Sequence, residues 1–336
     1  MKEYKVGVVG ATGAVGAEVV SLLESRKFPV GELRLFASAR SVGKTMTFKG
    51  KEIPLLAPAQ DSFEGLDFVV FSAGASRSRE FAPAAVKAGA VVIDNSSAYR
   101  MAPDVPLVVP EINPGDLKLH KGIVANPNCT AAILGTAVWP LHQRAGIKRL
   151  VVSTYQSASG AGAQAMAELE SQVKQFVSGE PVTKSVFPHQ IAFNVFSHNT
   201  PIGDDGSNEE ETKVREELRK MFHLPELPLV VTCVRVPVLR AHSEAVVIET
   251  EKPLSPEEAR EILSKAPGVT LVDDRKTNTF PMPLDASGKL DILVGRIRND
   301  PSSPKPGHGL ALFVSGDQLL KGAAWNAVQI AETLIA

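Results

Sequence analysis

Short apolar runs rich in β-branched residues alternate with stretches of helical spacing over roughly the first 110 residues: YKVGVVG, then AVGAEVVSLLESR, ELRLFAS, DFVVFSAG, SREFAPAAVKAG, AVVIDNS and LVVPEIN. This alternation predicts a parallel sheet covered by helices, a doubly wound α/β domain. The strands read as nearly continuous apolar runs, as strands buried on both faces do. After a helix expected from Thr130 to about His142 the texture changes. RLVVSTYQSAS, LPLVVTCVRVPVL, SEAVVIETEK, DILVGRIRND and LALFVSGD are longer and more regularly alternating, which predicts a mostly antiparallel sheet in an α+β domain. The chain ends on Leu319, Leu320, Ala323, Ala324, Ala327, Val328, Ile330 and Ala331 at helical spacing, a helix expected to pack back on the first domain. The boundaries expected are therefore 1–128 completed by 317–336, and 129–316. The proline-rich stretch 298–309 reads as a mobile surface crossing.

Composition narrows the class. The chain has 336 residues, 44% hydrophobic and 22% charged, with 36 basic against 37 acidic residues. Such balance is that of an ordinary globular protein and gives no reason to expect a nucleic acid or other polyanion as partner. No apolar run reaches the roughly 18 residues of a membrane span, and the N-terminal run is broken by glycines. A soluble, intracellular protein is expected. Two cysteines make no disulfide framework and carry no C-x-x-C spacing, so a reducing, cytoplasmic setting is expected and no metal site.

VGVVGATGAVGAEVV places Gly10, Gly13 and Gly16 between the first strand and the first helix. A pyrophosphate needs such a tight turn, close backbone approach and helix-terminal N–H groups, and Thr12 can add a hydroxyl. The alternative is a plain strand-to-helix turn. The second strand ends LRLFASARSVGK, without the acid that binds a ribose 2′-hydroxyl; Ser38, Arg40, Ser41 and Lys44 stand there instead and suit a 2′-phosphate. A Rossmann-type domain for NADP is the expectation.

NPNCTAAILG puts Cys129 at a turn followed by a helix, where N–H groups and the helix dipole stabilise a thiolate and an oxyanion formed by its attack. Asn128 can orient the adduct. Composition alone favours an inert buried thiol; Cys233, in mid-strand VVTCVRV, is read as core. His242 stands with Arg235 and Arg240 in CVRVPVLRAHSEAVV. Strict alternation puts Arg235 and His242 on opposite faces unless the strand bulges or ends near Pro237. A surface or capping role for His242 stays open.

GATGAVG, ASARSVGK, DNSSAYR, NPNCTA, YQSASGAG, NEEETKVREEL and CVRVPVLRAHSE, in this order and spacing, resemble the aspartate-β-semialdehyde dehydrogenase family from about residue 5 to 330. The resemblance implies an NADP-dependent, phosphorylating enzyme of the aspartate pathway, a homodimer whose second domain is catalytic and dimerising. It implies Cys129 as the nucleophile that forms an acyl-thioester, His242 as acid/base and Gln156 as the residue orienting the intermediate. Arg235 would take the substrate α-carboxylate, Glu210 its ammonium, and Arg100 and Lys213 the phosphate. Ala14, Val15, Ser72, Ser159, Gly160 and Asn326 join the glycine turn around the cofactor, with Gln329 the alternative to Asn326. Read from the residues alone, Glu210 and Lys213 are an exposed i,i+3 ion pair. Two other functions stay open at this point: N-acetyl-γ-glutamyl-phosphate reductase, and a cofactor-sensing protein without catalysis.

Overall fold

The computed structural model describes residues 2–336. Two compact units, Met1–Asn128 with Ala323–Ala336, and Cys129–Gly322, each hold one seven-stranded sheet.

In the first unit the elements are β1 (Tyr4–Val9), α1 (Ala14–Ser25), β2 (Val30–Phe36), β3 (Thr45–Phe48), β4 (Lys51–Leu56), β5 (Phe68–Phe71), α2 (Ala75–Lys87), β6 (Val91–Asp94) and β7 (Ile123–Ala125). The order is β3-β4-β2-β1-β5-β6-β7, parallel except for the β3–β4 hairpin. β1 lies between β2 and β5, so the winding reverses at its carboxyl end, where ligands of open α/β sheets bind. Phe63 packs 5.5 Å from Phe36, 6.0 Å from Phe71 and 6.2 Å from Phe81, each ring pair worth about 0.5–1.5 kcal/mol beyond area burial. The hairpin was not evident from periodicity; it turns on Lys49 and Gly50, both at positive φ (48° and 72°). LVVPEIN is not a strand. It contributes one bridge, Leu107 with Ala125, because Pro106 and Pro110 interrupt the run of N–H donors that a ladder requires.

The second unit contains α3 (Cys129–Ala145), β8 (Ile147–Gln156), α4 (Ala163–Val177), β9 (Phe196–Ser197), α5 (Glu209–Met221), β10 (Leu229–Arg235), β11 (His242–Thr250), α6 (Pro256–Leu263), β12 (Val269–Leu271), α7 (Pro283–Ala286), β13 (Ile292–Asn299) and β14 (Gly309–Gly316). The order is β12-β13-β14-β11-β8-β10-β9; β8–β10 and β12–β13 are parallel and the rest antiparallel. α3 carries buried residues on all sides and runs through Pro140. A π-helical turn, Leu320–Ala324, leads into α8 (Trp325–Ile335), which belongs to the first unit. There Arg26 lies 4.6 Å over the Trp325 ring and reaches Glu332 at 3.2 Å. Among the described residues no helix is long and apolar enough to cross a membrane.

The run CVRVPVLRAHSE is two strands. β10 stops at Arg235, two residues before Pro237, and β11 starts at His242 on the other side of β8. Arg235 pairs with Gln156, and Ser243 with Tyr155, so Arg235, Gln156 and His242 form one row across three strands, all buried. Splitting the run resolves the phase conflict in its alternation.

Candidate active site and dinucleotide turn

In the first unit the chain leaves β1 at Gly10, with φ 89°, and a Cβ there would lie 2.5 Å from the Ser72 carbonyl oxygen. A Cβ at Gly16 would lie 2.1 Å from the Gly10 carbonyl oxygen. Only glycine permits a turn this tight. Thr12 and Gly13 are exposed at its tip, and Ala14 and Val15 open α1, whose N-cap, Gly13, offers no side chain to its N–H groups. A cavity of about 400 Å³ adjoins it, lined by Gly10, Phe36, Ser38, Ala39, Pro58 and Phe81 among others. Arg40 and Ser41 lie in a 3₁₀ turn directly after Ser38, Arg40 exposed. Helix-terminal amides without a side-chain cap among the described residues, a clearance only glycine gives and an adjoining slot fit a dinucleotide.

Arg100 and Asn326 both join Asn126. Arg100 Nε donates to the Asn126 carbonyl at 2.9 Å and Nη2 to that of Asn95 at 2.8 Å. Asn326 is fully buried, and its Nδ2 donates to the Val108 carbonyl and to Asn126 Oδ1. Gln329 Nε2 donates to Glu111 at 2.9 Å.

In the second unit Cys129 is the first residue of α3 and half-buried; buried Asn128 precedes it. Next along the helix, Thr130 Oγ1 accepts from Gln156 Nε2 at 2.7 Å, which ties the start of α3 to the middle of the row. The same Nε2 donates to Glu210 Oε1 at 3.0 Å. Glu210 faces inward because a capping box fixes its helix. The Asn208 side chain accepts from the Glu211 N–H, Glu211 returns a bond to the Asn208 N–H, and its other oxygen takes the Cys233 N–H of β10 at 2.9 Å. The i,i+3 ion pair is therefore not formed. Lys213 instead pairs with exposed Glu209 at 2.7 Å, leaving Glu210 only 6% exposed.

His242 Nδ1 accepts from the Ser157 N–H at 3.0 Å, so in the neutral ring the proton sits on Nε2. Nε2 is buried and has no hydrogen-bond partner among the described residues; Gln156 Oε1 is in the same state. A buried donor and a buried acceptor left open in one row mark where a ligand's polar atoms belong. Burial, reinforced by the Arg235 charge, holds the His242 pKa well below the ordinary imidazole value. Gly160 passes so close that a Cβ would lie 3.0 Å from His242 Nε2 and 2.9 Å from Arg235 Nη1. The Ser159 hydroxyl is committed to a buried chain, 2.9 Å from Ser157 Oγ and accepting from Gln318 Nε2.

Burial lowers the pKa of Arg235, against the pull of Glu210, Cys129 and Cys233. The attraction is mutual, so the guanidinium favours the Cys129 thiolate. Burial pushes the Cys233 thiol far up, which keeps it an inert core group.

Two groups escaped the sequence reading. His198, directly after β9, shows no motif; only the pairing of β9 with β10 and its own N–H bond to the Cys233 carbonyl place it beside Arg235. Glu244 reads as one more polar residue in an alternating strand, but it sits one step below His242 on the same buried face, opposite Thr154. Neither of its carboxyl oxygens has a partner among the described residues, and burial raises its pKa well above the ordinary carboxyl value. Below the unfolded value of 4.5 both states are protonated and Glu244 contributes nothing to pH dependence. Above it the unfolded chain ionises while the folded one stays neutral, so stability falls by about 1.4 kcal/mol per pH unit until the folded pKa is reached. Glu244→Gln removes this term. Urea unfolding should show the variant gaining on the parent as the pH rises above the ordinary carboxyl value, and a constant difference would contradict the assignment.

The first unit carries a dinucleotide turn, and the second a helix-terminal cysteine and a row of arginine, glutamine and histidine, features that suit a dehydrogenase. Family models agree: residues 5–120 match the semialdehyde dehydrogenase NAD binding domain and residues 138–321 the semialdehyde dehydrogenase dimerisation domain. An aspartate-semialdehyde dehydrogenase of Synechocystis is 54% identical over 331 residues, 98% of this chain and 97% of that protein. The crystal structure of aspartate semialdehyde dehydrogenase II complexed with ASA from Vibrio cholerae superposes with a TM-score of 0.96 at 41% identity, covering 100% of this chain and 99% of the other. That of Candida albicans with NADP gives 0.77 at 25% identity, with 100% and 99% covered. The chain belongs to the aspartate-semialdehyde dehydrogenase family.

Proposed function

We propose that the chain catalyses the reversible, NADP-dependent conversion of L-aspartyl 4-phosphate to L-aspartate 4-semialdehyde and phosphate, in lysine, threonine and methionine synthesis. The observation that carries this reading is the buried row Arg235–Gln156–His242, with His242 Nε2 open, tied through Thr130 to the helix start that bears Cys129.

The Cys129 thiolate, favoured by the N–H groups of α3 and by Arg235, attacks the acyl carbon; the bond from that carbon to the phosphate oxygen breaks and a thioester forms. Asn128 and the α3 amides hold the oxyanion. Gly10, Thr12, Gly13, Ala14, Val15 and Gly16 hold the pyrophosphate of NADP, Ser38, Arg40 and Ser41 its 2′-phosphate, and Ser72, Ser159, Gly160 and Asn326 the remainder. When bound, NADPH supplies the hydride that reduces the thioester. As the acid/base group, His242 holds the oxyanion of the resulting cysteine adduct through its Nε2–H until the carbon–sulfur bond breaks and releases the aldehyde and the thiolate. Arg235 binds the α-carboxylate, a planar two-point contact, Glu210 the ammonium, and Arg100 and Lys213 the phosphate. Gln156, anchored on both Thr130 and Glu210, orients the acyl group.

The enzyme works as a cytoplasmic homodimer through the exposed face of the second sheet, where Val230 and Tyr155 are 56% and 39% exposed. The description of the matching family model as a dimerisation domain supports that assembly. The Vibrio and Candida structures, solved with ASA and with NADP, support the substrate and cofactor.

The test is phosphate-dependent reduction of NADP by aspartate semialdehyde, with N-acetyl-glutamate semialdehyde as control; activity with the control alone would sink the reading. Arg40→Ala should raise KM for NADP about tenfold, the cost of one charge-assisted bond, and leave KM for NAD unchanged. A rise of twofold or less would reject Arg40 as the 2′-phosphate residue.

A further inference from the structure

We propose that His198 is a positioning residue for Arg235, turning its guanidinium so that one N–H on each terminal nitrogen meets the substrate α-carboxylate. The inference rests on the reading of Arg235 given above.

A guanidinium has five N–H donors. Arg235 is 4% exposed and spends three of them: Nε toward Asn199 Oδ1 at 3.5 Å, Nη1 on the Ser157 carbonyl at 3.1 Å and Nη2 on His198 Nε2 at 2.7 Å. One hydrogen remains on each terminal nitrogen, the pattern that meets the two oxygens of a carboxylate. Of the three anchors the bond to His198 is the shortest, and the Phe187 ring, 5.8 Å away, holds the guanidinium only loosely from its face.

His198 is well placed to set this orientation. Its backbone N–H donates to the Cys233 carbonyl at 2.8 Å, which fixes it beside β10. Because Nε2 accepts from Arg235, the ring proton lies on Nδ1, which faces Thr200 Oγ1 at 3.2 Å. Thr200 Oγ1 also accepts the Glu210 N–H at 3.2 Å. One imidazole and one hydroxyl thus space the carboxylate-binding Arg235 from Glu210, matching the two charges on one α-carbon.

The arrangement requires a neutral ring. A protonated His198 has no acceptor for Arg235 and adds a second cation beside the substrate ammonium. The charged groups facing it are Arg235, Lys213, Glu209 and Glu210, with His242 on the far side of the row. Burial, then Arg235, brings its pKa down to about 4, so the neutral form holds throughout the neutral range.

The experiment compares the parent enzyme with His198→Ala and His198→Gln at neutral pH, varying semialdehyde, phosphate and NADP separately. His198→Ala should raise KM for the semialdehyde about tenfold while kcat and KM for NADP change less than threefold. His198→Gln, whose amide oxygen can accept from Nη2, should restore most of the loss. An unchanged semialdehyde KM in His198→Ala, equal losses in all parameters, or failure of Gln to rescue would overturn the proposal. Arg235→Ala separates this claim from the one beneath it. If it too leaves the semialdehyde KM unchanged, the carboxylate reading fails; if it alone raises that KM, only the positioning role fails.

Discussion

Cys129→Ala should abolish phosphate-dependent NADPH formation from aspartate semialdehyde, a loss of more than about 10⁴-fold, because Cys129 is the group proposed to form the acyl-enzyme. The fold should survive. Cys129 is half-buried at the first position of a 17-residue helix whose other contacts are untouched, and alanine is the best helix former. NADP binding should survive too, since the proposed pyrophosphate and 2′-phosphate contacts lie in the first unit. Initial rates, a thermal melt and an NADP titration on one preparation check all three, and activity within tenfold of the parent would remove Cys129 from the mechanism. Cys233→Ala is the control. Its thiol lies in the core, held protonated by burial, so that change should cost stability and leave kcat alone.

His242→Ala should lower kcat by about 10² to 10⁴, the range expected for a general acid, and move KM for the semialdehyde far less, since the charge contacts to substrate are assigned to Arg235 and Glu210. Truncating a buried ring leaves a cavity, so His242→Asn should be measured beside it. An amide retains a polar contact to Ser157 but has no ring proton at Nε2, and the rate should stay low. Steady-state rates across the neutral range check both variants. A kcat within threefold of the parent in either would contradict the assignment of the proton donor.

The fold was legible where one physical cause acts alone. Continuous apolar runs marked β1, β2, β5 and β6, and alternation marked β8, β11 and β14. Where backbone chemistry intervened the reading failed: the prolines flanking Leu107–Val109 leave a single bridge where a strand was expected, and the hairpin turning on Lys49–Gly50 hid in a polar stretch. In the site, the glycine turn and the helix-terminal cysteine are local features and stood out. The row proposed to give the cysteine a reaction is not local. Arg235, Gln156 and His242 meet only because β8 lies between β10 and β11, which no periodicity encodes. Glu210 illustrates the same limit from the other side. Helical spacing makes it a surface partner of Lys213, whereas the capping box turns it inward to Gln156. His198 and Glu244 carry no motif and are legible only from pairing and burial.

The most direct test is mass spectrometry of the enzyme quenched after acylation and before reduction. With aspartyl phosphate supplied and NADPH withheld, followed by rapid acid quench and digestion, an aspartyl group is expected in thioester linkage on Cys129, absent from Cys129→Ala. An enzyme that turns over normally while Cys129 stays unmodified, or an acyl group found on another residue, would contradict it.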